Sequence, residues 1–138
     1  MPASASSKTA SLDTIYNSLH QLLCRYAPPF KTSGGTVRGK RDLHLRIPKA
    51  VAIPGAYGGK PTEVSLASLI LQKSYVGFYF MPIYIDPALR NKLPAALNNL
   101  LQGKTCFHIK KLDADLVKHI ETALNEGVKC YKDRGWLE

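Results

Sequence analysis

The sequence predicts an α+β domain: one mostly antiparallel sheet with helices packed on one face, in the order α-β-β-β-α-β-α. Three observations carry this expectation. Segments near both ends place apolar residues at helical spacing. Between them, RDLHLRI, TEVSLASLIL and YVGFYFMPIYI read as successive strands. Only Lys73-Ser74 separates the last two, which is hairpin length. Strands in a hairpin series with helices at the chain ends favour an antiparallel sheet covered on one side.

The elements follow in order. Residues 1–10, MPASASSKTA, are small and polar and are expected to be a disordered tail. One domain over 11–138 follows, since 138 residues with 45% apolar content suffice for one core. Ser11 is placed to cap a helix, with Asp13 in its first turn. Leu12, Ile15, Leu19, Leu22, Leu23 and Tyr26 form its apolar stripe, and Pro28-Pro29 ends it. Residues 31–40, KTSGGTVRGK, read as a flexible basic loop. In 41–47 the alternation sends Leu43, Leu45 and Ile47 one way and Asp42, His44 and Arg46 the other. Pro48, Pro54, Gly55, Gly58, Gly59 and Pro61 mark a long turn region. Strands at 62–71 and 74–85 come next.

Asp86-Pro87 pairs an N-cap with proline at the first helical position. Leu89, Leu93, Leu97 and Leu100 are that helix's apolar stripe, Pro94 is expected to kink or restart it, and Gly103 to cap its end. KTCFHIKK at 104–111 alternates Thr105, Phe107 and Ile109 against Cys106, His108 and Lys110. Asp113 caps the last helix, whose buried face is Leu116, Ile120, Leu124, Val128 and Tyr131.

The third strand is apolar on both faces, which raises the question of what covers the second. Val76, Phe78, Phe80 and Tyr84 are assigned to the helices, and Tyr75, Gly77, Tyr79, Met81 and Ile83 to the outside. The outward face then gathers His44, Arg46, Tyr75, Tyr79, Met81, His108 and Lys110: an apolar floor with convergent cationic groups. Such a face suits a small, anionic, partly apolar ligand or a second copy of the chain, since Tyr, Met and Arg favour interfaces. An open sheet half covered by the 48–61 loop is the plain structural alternative.

The net charge of +9 favours anionic partners in general. Lys31, Arg38, Lys40, Arg41, Arg46, Lys49 and Lys60 cluster around a single acid, Asp42, and could meet nucleic-acid phosphates. No recognised nucleic-acid motif or phosphate-binding loop accompanies them. The start, MPASASSKTA, has no apolar run of the kind a secretory signal needs, and no segment reaches the roughly 18 apolar residues of a membrane span, so a cytoplasmic protein with no membrane partner is expected. Cys24, Cys106 and Cys130 are odd in number and widely spaced, which suggests free thiols and no zinc knuckle. Cys106 and His108 share a strand face about 7 Å apart, too far for a thiolate–imidazole pair. His20 and Cys24 share a helix face, but two ligands do not fix a metal. Asp115, His119 and Glu126 read as a solvated helix face. No catalytic constellation, metal site or cofactor is assigned, so a non-enzymatic binding module is expected.

YVGFYFM at 75–81, GKTCFHIKKL at 103–112 and RGW at 134–136, with the helices between and after them, resemble the YdhG-like family of bacterial domains of unknown function. The resemblance spans roughly residues 11–137 and is weak before residue 62. It implies a small single-sheet α+β domain. Some members of that family are described as frataxin-like iron chaperones, which makes iron the one cofactor the resemblance implies. A ridge of carboxylates would be needed for hard iron. Here the first helix carries only Asp13 and the ten acids are scattered, so no iron-binding residue is carried over.

Overall fold

The computed structural model describes residues 11–27, 30–37, 40–52 and 57–137. The expected tail at 1–10, the Pro28-Pro29 stop, Arg38 and Pro54-Gly55 lie outside them. The chain runs α1 (Leu12–Cys24), β1 (Lys31–Val37), β2 (Lys40–Arg46), β3 (Ser65–Leu71), β4 (Val76–Phe80), α2 (Pro82–Ile85), α3 (Ala95–Asn98), β5 (Leu101–Gln102), β6 (Cys106–Ile109) and α4 (Ala114–Asp133). Single 3-10 segments span Tyr57–Gly59 and Pro87–Lys92. Among the described residues, six strands form one antiparallel sheet in the order β1-β2-β3-β4-β6-β5. This is the α+β architecture that the sequence predicts. No helix among the described residues is long and apolar enough to cross a membrane.

The two long helices start where their caps predict. The Ser11 hydroxyl accepts the Thr14 N–H at 3.1 Å, and an Asp113 carboxylate oxygen accepts the Leu116 N–H at 2.8 Å. Each such cap is worth about 1 kcal/mol. Their apolar stripes (Ile15, Leu19, Leu22 and Leu23 on α1; Ile120, Leu124 and Tyr131 on α4) are buried against the inner sheet face. That face is built from Leu43, Leu45, Leu69, Val76, Phe78, Phe80, Phe107 and Ile109, all at most 5% exposed.

Three expectations are corrected. Residues 31–37 are not a loop but the edge strand β1, paired along its length with β2. The pair of glycines that suggested a loop has a different cause. At Gly34, φ is +129° and a Cβ would stand 2.4 Å from the Asp42 carbonyl oxygen, so only glycine lets β1 approach β2 there.

The long strand expected at 74–85 stops at Phe80, because Pro82 opens the short helix α2. The helical turn reverses two assignments: Ile83 is buried at 3% exposure and Tyr84 faces out at 39%. Lastly, the helix expected over 86–103 is broken into the 3-10 turn and α3, with the restart after Pro94 as expected. Asp86 precedes the turn without a side-chain cap bond. Gly103, at φ +82°, sits in the turn joining β5 to β6 and not at a helix end.

Candidate functional site on the outer sheet face

With both long helices on the inner face, the register alone fixes which side chains meet on the outer one. His44 of β2 pairs with Ser68 of β3, Ser68 with Tyr79 of β4, and Tyr79 with Cys106 of β6. The neighbouring row is Asp42, Ile70, Gly77 and His108. Both rows alternate correctly with the buried leucines and phenylalanines.

The Tyr79 ring does not stand upright. It leans along its strand over Gly77, where a Cβ would fall 2.8 Å from Tyr79 Cε1. This tilt leaves room on the other side. A groove of about 260 Å³ opens there, lined by His44, Ser65, Ser68, Ile70, Tyr79, Met81 and Thr105. Burial raises the Tyr79 hydroxyl above its usual pKa, and a hydrogen bond with Cys106 adds to the rise. Burial likewise raises the Cys106 thiol, which keeps it protonated and poorly nucleophilic.

At the head of the groove three polar side chains form a chain. His44 Nδ1 lies 2.7 Å from Ser68 Oγ, and His44 Nε2 lies 3.0 Å from Asp42 Oδ2. The other Asp42 oxygen accepts the Gly35 N–H at 2.9 Å. That backbone bond first, and the His44 bond second, hold the Asp42 carboxyl below its ordinary pKa. An ionised carboxylate only accepts, so the His44 proton at this contact sits on Nε2. In the neutral ring Nδ1 then presents its lone pair to the Ser68 hydroxyl, which donates to it.

Of the residues the sequence singles out, His44, Tyr79 and Met81 come together in the groove. Met81 does so from the turn before α2, after the strand has ended. Arg46 lies two residues from His44 on β2 and donates to Ser33 Oγ of β1. Tyr75 and His108 form a separate stack, with ring centroids 3.7 Å apart and planes 11° from parallel. Lys110 is exposed beyond the end of β6. Sequence reasoning missed Ser65, Ser68, Ile70 and Thr105, and it placed Asp42 on this face without giving it a role. The available signal was Asp-x-His on one strand facing a serine on the next, but the partner is known only once the register is fixed.

A second cavity of about 380 Å³ lies between α1 and the β1–β2 hairpin, with Tyr16, His20, Cys24 and Arg41 among its walls. Cys24 Sγ lies 3.6 Å from His20 Nδ1, as their helical spacing predicts. Among the described members of the basic cluster, several have partners within the chain, while Lys60 is exposed. Lys31 pairs with Glu63, Arg41 Nη2 donates to Asn17 Oδ1, and Lys49 donates to the Gly135 carbonyl. Among the described residues, no three His, Cys, Asp or Glu side chains gather as a metal site. Comparison of the chain with protein-family models, with curated proteins and with solved structures gives no match.

Proposed function

We propose that this protein is a binding module whose outer sheet face takes a small, partly apolar anion. The observation that carries the reading is the groove beside Tyr79, lined by apolar Ile70 and Met81 and by polar groups of His44, Ser68 and Thr105. Apolar walls with a few fixed polar groups are the usual make-up of a small-molecule site. Arg46, two residues along β2 from His44, lies outside the groove lining and is held by Ser33 Oγ; an acid group would have to draw its guanidinium from that bond. The volume suits a single ring or a short acyl chain. Nucleic-acid binding has less support, because Lys31, Arg41 and Lys49 already have internal partners. The iron handling implied by the YdhG-like resemblance has no ligand cluster among the described residues to rest on.

Benzoate is the direct probe. Titration at millimolar concentration should shift the methyl signals of Met81 and Ile70 and the ring signals of Tyr79 in NMR spectra, saturably. Shifts confined to the cavity beside α1, or none, overturn the reading. Shifts of the same outer-face signals on simple dilution, with no benzoate response, would make the face a contact between two copies.

A further inference from the structure

The outer-face groove holds a serine, a histidine and an aspartate in series. We propose that Ser68 is an activated nucleophile that accepts the acyl group of small apolar esters. The inference rests on the groove being a small-ligand site and adds a chemical step to it.

The geometry supplies each role. A serine hydroxyl becomes nucleophilic when a positioned base takes its proton, and the base must itself be oriented by a third group. Here Ser68 Oγ is 2.7 Å from His44 Nδ1, and His44 Nε2 is 3.0 Å from Asp42 Oδ2. The imidazole is turned relative to the arrangement familiar from serine proteases, with Nδ1 toward the serine and Nε2 toward the carboxylate. The proton logic is unchanged, and such constellations are recognised by geometry and roles. Asp42 is in turn fixed by the Gly35 N–H across the β1–β2 pair, so the orienting group is itself oriented. Ser68 and His44 both line the groove, and Ile70 and Met81 form apolar wall for an acyl chain. Ser68 is only 7% exposed, so its hydroxyl works out of bulk water, where a competing hydrogen bond would blunt it.

The step balances without any further reagent. Ser68 Oγ attacks the ester carbonyl carbon while its proton passes to His44 Nδ1. The tetrahedral adduct collapses, the bond to the ester oxygen breaks, and the departing oxygen takes the proton from His44. The products are an acyl-Ser68 ester and an alcohol. Asp42 touches neither partner in this step; it is a positioning residue that holds the imidazole tautomer.

Diisopropyl fluorophosphate tests the proposal. Oγ attacks phosphorus, the P–F bond breaks, fluoride leaves, and the proton goes to His44. Peptide mapping by mass spectrometry should locate the adduct on Ser68, and benzoate should slow its formation. His44→Gln should label at least about a hundredfold more slowly, the usual worth of a general base. Asp42→Asn should slow labelling roughly tenfold or more. It should also move the His44 ring nitrogen shifts away from the Nε2–H tautomer, which a purely structural role would leave in place. Absence of any adduct on Ser68 in the wild-type chain overturns the proposal, as does a His44→Gln variant that melts like wild type and labels at the wild-type rate. Benzoate binding without labelling removes the nucleophile and leaves the binding site standing. Labelling without a benzoate response does the reverse.

Discussion

The Tyr79 ring occupies the space that a side chain at position 77 would need: a Cβ on Gly77 would come within 2.8 Å of Tyr79 Cε1 and 3.3 Å of its hydroxyl oxygen. Gly77 is therefore what lets the aromatic ring lie flat along the sheet and hold the groove open. Gly77→Ala should push the ring back toward Met81 and Thr105, into the groove. Alanine favours the strand by about 0.5–1 kcal/mol over glycine, and displacing the ring from its rotamer costs a similar amount. Stability in urea should thus change by under about 1 kcal/mol, the two terms nearly cancelling. Benzoate shifts at Met81 should nonetheless be lost. A variant that keeps those shifts would show that the ring does not govern the groove.

Gly127 makes the opposite case in the core. It lies where α4 crosses the end of the sheet, and a Cβ there would stand 2.9 Å from Leu66 Cδ1, Phe80 Cζ and Pro82 Cγ. These atoms belong to three elements, so no one rotamer change relieves the clash. Gly127→Ala gains about 1 kcal/mol of helix propensity but meets an overpacking cost of about 1–3 kcal/mol. The expected outcome is a net loss of about 1 kcal/mol and a melting point lower by roughly 3–5 °C. A rise in melting point would mean that α4 can shift away from the sheet.

Asp42 gives the acid side of stability a specific residue. Its carboxyl is held below its ordinary pKa by the Gly35 N–H and then by His44. A group with a lowered folded-state pKa stabilises the fold above its unfolded-state pKa, near 3.9 for aspartate. That contribution is lost as pH falls through the lower folded value. Asp42→Asn should therefore narrow the gap between stabilities measured by urea at pH 6 and at pH 3. The neutral side of the curve should drop by more than the acid side, where part of the contribution is already lost. Equal losses at both pH values would show that the carboxylate charge is not what Gly35 and His44 stabilise.

These cases also show what was legible in the chain. The alternation in RDLHLRI placed Leu43 and Leu45 inward and His44 outward because strand periodicity is local. The caps at Ser11 and Asp113 were legible for the same reason. Strand β1 was not, since glycine signals a loop in isolation and Gly34 is required only by the approach of Asp42 from the next strand. The end of β4 was hidden because IYI after Pro82 suits a strand or one helical turn equally. The Ser68–His44–Asp42 chain depends on which residue of β3 faces His44, and a one-residue slip would remove it. Beyond Leu45 a bulge shifts the pairing so that Arg46 meets Ser65, and periodicity does not announce it.

Arg41 tests whether the basic cluster is structural. Its guanidinium carbon lies 4.6 Å from the Tyr16 ring centroid, and its Nη2 donates to Asn17 Oδ1 at 2.6 Å. Asp13 stands 3.8 Å from its Nη1, so three residues of α1 engage one side chain of β2. A half-exposed cation–π contact is worth about 0.5–1 kcal/mol. A bond from a charged donor to an exposed amide adds a few tenths more, reduced by solvent screening. Arg41→Ala should lower stability by about 1 kcal/mol. Arg41→Lys should recover less than half of this, because an ammonium keeps the charge but not the plane or the fork. Thermal melts of both variants, taken at low and high salt, separate the terms: stacking persists as salt rises, and the pull of Asp13 fades. If alanine and lysine leave the melting point unchanged, Arg41 is not tying the hairpin to α1. Its charge would then be free for a phosphate partner, and nucleic-acid binding would regain support.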